Sequence, residues 1–113
     1  MTQTAGVPPT LALIQMLTGA WIAQAISVIA RLGTADVLAD GPKGIDDLAI
    51  AANAHAPSLY RVLRALASVG IFAEDADGRF RLTPLAEPLQ SDVPGSVRAF
   101  AIMLGEEWSW RPW

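Results

Sequence analysis

The chain has no cysteine and a single histidine, His55. Disulfides and thiolate metal sites are therefore excluded, and a histidine-based zinc site within one chain lacks ligands. No Gly-x-Gly occurs among its glycines and no P-loop pattern is present. A doubly wound cofactor site needs such a loop between a strand and a helix, so no cofactor-binding or metal site is expected in this chain. Charge is missing from one end, where no charged residue precedes Arg31. Over the whole chain Lys+Arg total 8 against Asp+Glu 11, a net charge of −3. That sign is opposite to the one a dedicated nucleic-acid binder carries.

What is present is apolar. At 113 residues and 52% hydrophobic content, the chain can fold as one domain with a modest core. Residues 1–9 read as a flexible tail. Thr10 is placed to cap a long helix that runs to Leu32 and stops at Gly33. The run Leu11–Ala30 is about long enough to cross a bilayer. Gln15, Thr18, Gln24 and Ser27 interrupt it, and no basic residue precedes it, which argues against a membrane span and a secretory signal alike. A cytoplasmic protein is expected.

The periodicity of that helix is more informative than its hydropathy. At about 100° per residue, Gln24, Ser27 and Arg31 share one face, while Gln15, Thr18 and Gly19 fall mostly on the other. Leu13, Ile14, Leu17, Trp21, Ile22, Ile26 and Ile29 therefore cannot all face one small core. A helix that is apolar nearly all round needs cover on more than one side. A second subunit is the expected cover, with these seven residues as the interface.

The stretch from Ile45 to Thr83 reads as a winged helix-turn-helix. Ile45-Asp46-Asp47-Leu48-Ala49 opens a short helix, with carboxylates where the helix dipole favours them. Asn53–Pro57 breaks it. Pro57–Leu66 opens the second helix, with proline where its missing N–H costs nothing, and Gly70 ends it. Ile71–Glu74 and Arg79–Leu82 read as strands joined by Asp75-Ala76-Asp77-Gly78. The fold class expected is mainly α, with a long N-terminal helix and a small two-stranded β wing.

A winged helix either reads DNA or serves as a packing module. Arg61 and Arg64 on the outer face of the second helix, with Arg79 and Arg81 on the wing, are the case for a small DNA-binding regulator. Glu74, Asp75 and Asp77 crowd the wing tip, where a phosphate backbone would lie, and argue against it. Leu59, Val62, Leu63, Leu66 and Val69 form the inner face.

The rest of the chain is helical in short pieces. Thr34–Ala39 and Leu85–Leu89 are expected as short helices, and Ser96–Glu107 as a last one with Val97, Phe100, Ala101 and Leu104 at helical spacing. Trp108, Trp110 and Trp113 then crowd the final positions. Rings of that size are costly to leave in water, so this end reads as a cut inside a larger protein or as a surface awaiting a partner. His55, in the turn of the helix-turn-helix, has no companion base or nucleophile. No catalytic residue is assigned, and no activity is expected from this chain alone.

Leu17-Thr18-Gly19-Ala20-Trp21, Ala30–Leu38, Pro57–Leu66, Gly70-Ile71-Phe72 and Phe80–Ala86, in that order, carry a family resemblance. The sequence resembles the N-terminal dimerisation domain of plant-type S-adenosylmethionine-dependent O-methyltransferases and their bacterial relatives. The resemblance implies a homodimer whose first helix carries much of the interface. It implies residues 10–95 as the dimerisation domain and 96–113 as the start of a linker toward a methyltransferase domain that would bind S-adenosylmethionine. It also implies Met103, Trp108 and Trp110 as part of an acceptor-pocket wall.

Overall fold

The computed structural model describes residues 6–113. The tail expected over residues 1–9 lies outside the described residues as far as position 5. Helix α1, Pro9–Leu17, starts earlier than the sequence suggests. Pro8 stands at the N-cap and Pro9 is the first helical residue, where a proline loses no hydrogen bond. Thr10 thus falls inside the first turn and does not cap it.

The single long helix expected from Thr10 to Leu32 is divided at Thr18. Helix α2 spans Gly19–Leu32. The Thr18 hydroxyl lies 3.1 Å from the Ile14 carbonyl oxygen and 3.2 Å from that of Gln15, within donating reach of both. Such back-bonding slightly destabilises a helix, although the Thr18 N–H still donates to the Ile14 carbonyl at 3.0 Å. Gly33, at φ 71°, closes α2 with a left-handed cap, a conformation that costs glycine nothing.

A short helix α3, Thr34–Val37, and a 3-10 turn, Leu38–Asp40, lead to the helix-turn-helix. Its members are α4, Ile45–Ala52, and α5, Ala56–Ala67. Asp46 and Asp47 occupy the first turn of α4. His55 is the N-cap residue of α5, and its Nδ1 lies 2.8 Å from the Ser58 hydroxyl.

The wing is smaller than its sequence suggests. Strands β1, Ala73–Glu74, and β2, Phe80–Arg81, pair antiparallel with Ala73 opposite Arg81 and Glu74 opposite Phe80. Ile71 and Phe72 are both buried, so two successive side chains enter the core and the alternation of a pleated strand is lost. The wing gains a partner in exchange. Lys43 and Phe80 exchange backbone hydrogen bonds of 3.0 and 2.8 Å. A one-residue bridge between Pro42 and Gly44 has no periodicity by which a sequence could announce it.

The helix expected over Ser96–Glu107 is also divided, into α6, Arg98–Leu104, and α7, Glu107–Trp110. The break falls at Gly105, where α2 comes very close. A Cβ at this position would lie 1.8 Å from Ser27 Oγ and 2.6 Å from Ser27 Cβ, so only glycine fits without movement. Upstream, the segment Leu85–Leu89 forms a 3-10 turn at Glu87–Leu89 rather than an α-helix.

The core sits where α2, α5 and the wing converge. Phe72, Phe80, Ile29, Leu48, Leu63 and Leu66 are its largest fully buried side chains. Tyr60 packs edge-on against Phe80, with ring centroids 5.8 Å apart. The result is mainly helical with a two-stranded antiparallel sheet, the fold class read from the sequence.

Candidate dimer interface

Helix α1 buries no residue in the protomer. Leu13, Ile14 and Leu17 are exposed by 57%, 49% and 70%, with Leu11 and Met16 beside them. Trp21, at the start of α2, is 74% exposed. Positions 11, 14, 17 and 21 point one way and positions 13 and 16 another at about 100° per residue, so apolar side chains stand on more than one side of this rod. Ordinary monomers scatter such residues singly; a contiguous group marks a contact surface.

Farther along, the helix turns inward. Ile22 and Ile26 are half-buried and pack against the protomer core. Ile29 is fully buried and corrects the sequence reading, since no partner can touch it. The reason is tertiary: α5 and α6 both lie against the second half of α2 and close over this side. Val69 is corrected the other way. The sequence places it on the inner face of the second helix, yet it is 45% exposed, because α5 ends at Ala67 and the turn swings it outward.

The C-terminal segment is fastened to α2. Arg98 Nε donates to the Ala30 carbonyl at 2.7 Å, near the C-terminal end of α2, where a cation suits the helix dipole. Arg98 also donates to Ser91 Oγ at 3.0 Å. Ser91 in turn gives its backbone N–H and its hydroxyl to the two carboxylate oxygens of Asp36, at 2.8 and 2.5 Å. Those two bonds from Ser91, more than the nearby Arg98 charge, hold the Asp36 carboxyl below its ordinary value. Arg31 meets Glu106 at 2.6 Å, and the Ser27 hydroxyl lies 3.4 Å from the Ile102 carbonyl.

Beyond that clamp the aromatic surface opens again. Trp108, Trp110 and Trp113 are exposed by 67%, 49% and 103%, with Phe100 at 57%. Met103 is half-buried. Trp110 Nε1 donates to the Gly105 carbonyl at 3.2 Å. Met103 lies in α6, and Trp108 and Trp110 lie in α7.

Three of the four arginines that would favour DNA, all but Arg61, are committed to carboxylates. Arg64 lies 3.4 Å from Glu74, Arg79 3.6 Å from Asp77 and Arg81 3.0 Å from Asp75. Tyr60 bridges the first pair, donating to Glu74 at 3.0 Å and accepting from Arg64 at 3.0 Å. The Tyr60 oxygen, and then Glu74, hold the Arg64 guanidinium above its ordinary value. The acidic wing residues flagged in the sequence are thus the partners of its basic ones.

The described residues do not fit a doubly wound cofactor site. Their sheet has two antiparallel strands and no parallel pair, so it lacks the strand-end crevice on which such a site is built. The module is a winged helix with an apolar helical arm. The profile of the O-methyltransferase dimerisation domain family matches residues 14–92, and the chain belongs to that family. It is 50% identical over 107 residues to phenazine O-methyltransferase PhzM of Lysobacter antibioticus, covering 95% of this chain and 31% of that protein. The crystal structure of LaPhzM superimposes with a TM-score of 0.85 at 51% identity, over 89% of this chain and 30% of that one. The O-methyltransferase NcsB1 from neocarzinostatin biosynthesis, solved with S-adenosyl-L-homocysteine, matches with a TM-score of 0.73 at 37% identity, over 80% of this chain and 30% of its own. The chain spans about a third of the length of the curated relatives it matches.

Proposed function

We propose that this chain is the homodimerisation module of an S-adenosylmethionine-dependent methyltransferase, with residues 10–95 forming the dimer domain and 96–113 leading toward a catalytic domain. One observation carries the reading: α1 is apolar on more than one side and buries nothing in its own protomer. A second copy supplies the missing cover. Leu13, Ile14, Leu17 and Trp21 form the centre of the contact, and the half-buried Ile22 and Ile26 its edge. Met103, Trp108 and Trp110 contribute to the wall of a methyl-acceptor pocket that a catalytic domain completes. Chemistry at the methyl donor belongs to that domain, and no step is assigned to residues of this chain.

Pro9–Leu32 is long and apolar enough to cross a membrane. The burial of Ser27, Ile29 and Ala30 against the protein's own helices, with Gln15, Thr18 and Gln24 inside the run, supports a soluble module instead. Sedimentation equilibrium over nanomolar to tens-of-micromolar concentrations tests the proposal. A mass of twice 12.0 kDa is expected, and a monomer at tens of micromolar would refute it.

A further inference from the structure

The sulfur chemistry of this chain belongs to methionine alone. Cysteine is absent, and the three methionines are Met1, Met16 and Met103. Met1 lies outside the described residues. Met103 is half-buried on α6. Met16 stands in the last turn of α1 and is 73% exposed. We propose that Met16 is an oxidation site whose sulfoxide turns the arm from pairing to non-pairing, an inference that rests on the homodimer reading above and supplies its regulation.

The oxidant is a hydroperoxide, hydrogen peroxide in the simplest case. Met16 Sδ attacks one peroxide oxygen with a lone pair, and the O–O bond breaks. The proton of the attacked oxygen passes to the departing one, which leaves as water. Sulfur is oxidised to the sulfoxide and the peroxide is reduced. A methionine sulfoxide reductase reverses the change. The product is polar where the thioether was apolar and adaptable. Met16 follows Leu13 by three positions and so lies beside it on the helix surface. Thr10 and Gln15 are the only polar side chains of α1. Gln15 is adjacent in sequence and points away, and Thr10 is more than a turn back. Within an arm contact the sulfoxide oxygen therefore gives up water and finds no donor on its own helix, which is costly. The protomer itself is spared, because α1 buries no residue in it. Pairing covers the arm, so peroxide reaches Met16 through the separated chain. A sulfoxide formed there opposes re-pairing, and oxidation draws the equilibrium toward separated chains.

Hydrogen peroxide, applied to the chain well below and well above its dimer dissociation constant, tests this. Tandem mass spectrometry locates the added oxygen and sedimentation reads the assembly. No lysine or arginine precedes Arg31, so trypsin leaves Met1 and Met16 on one peptide, and fragment ions tell them apart. Met16 is expected to gain an oxygen before Met103 does, and more slowly at the higher concentration. The oxidised chain should dissociate with a Kd raised about tenfold or more and an unchanged circular dichroism spectrum. Met16→Leu, close in volume, should stay dimeric in peroxide. Met16→Gln, with an amide in place of the sulfoxide, should pair weakly without it. Earlier oxidation of Met103, a rate at Met16 indifferent to concentration, or an oxidised Met16 in an undiminished dimer overturns the switch and leaves the homodimer standing. A chain that is monomeric at tens of micromolar before peroxide is added overturns both.

Discussion

Two helices of this chain, α1 and α5, dispose of their apolar side chains in opposite ways. Helix α5 places Leu59, Leu63 and Leu66 in the core and turns Arg61 and Arg64 outward. Helix α1 places nothing in the core. Their difference lies in spacing. On α5 the apolar residues recur at intervals of three and four, and the positions between are polar or small. On α1 the leucines, isoleucine and methionine come almost without interruption, so no single face is distinguished. A helix with one stripe is satisfied by its own domain. A helix without a stripe leaves apolar surface over, whatever its own domain does. The hydrophobic effect is proportional to area and has no direction of its own; the pattern decides whether the area is closed within a chain or between chains.

The sharpest way to break that comparison is to charge the arm. Trp21→Asp would put an unpaired carboxylate into the dimer contact, at a cost of several kcal/mol. Sedimentation equilibrium should show dissociation at micromolar concentration. Circular dichroism at the same concentration should show the helix-turn-helix and wing intact, since Trp21 is exposed in the protomer. Leu63→Ala is the converse. It empties a fully buried site on α5 and should cost about 2–5 kcal/mol of protomer stability. Denaturant melts should record that loss, while the folded fraction keeps its dimeric mass. If both substitutions impair folding and assembly equally, the two helices are not divided in the way described.

The division was legible in the sequence as far as periodicity reached. Period 3.6 marked α5, and the absence of a single face marked the arm. The Asp-Ala-Asp-Gly turn and its flanking aromatics marked the wing. What escaped depended on contacts between segments far apart in the chain. The burial of Ile29 depends on α6, which packs from some seventy positions downstream. Lys43 joins the wing through one residue. The arginines of α5 and the wing read as outward and free, because pairing between Arg64 and Glu74 requires the two elements to be placed first. The helix is divided at Thr18, whose hydroxyl bonds to its own preceding turn, a preference too weak to outrank the apolar run around it.

A smaller effect tests how the C-terminal segment is attached. Gly105→Ala introduces a methyl group where Ser27 already stands. Overpacking of this kind costs about 1–3 kcal/mol. Ser27→Gly in the same chain removes the obstructing atoms and should recover much of the loss, because the two residues share one contact. Hydrogen exchange should locate the change in α6 and α7, and leave α4, α5 and the wing near their original protection. Uniform loss across the chain would mean that α6 belongs to the same cooperative unit as the core.

The smallest effect lies at the other end of that attachment, at Asp36. Its carboxyl accepts two hydrogen bonds from Ser91 and lies near Arg98. Its folded-state pKa is depressed, so the unfolded chain binds the proton more readily. The stabilisation is therefore fully present above the ordinary carboxylate range, near pH 4, and is lost as the pH falls through the lower folded-state value. Because the group is largely solvated, screening holds its worth below about 1 kcal/mol. Asp36→Asn keeps the shape and removes this titration. At neutral pH the variant should be slightly less stable than the parent in urea. As the pH is lowered from 5 toward 3, the gap between the two should narrow. A gap that widened on acidification would show that the Ser91 bonds do not favour the ionised carboxylate.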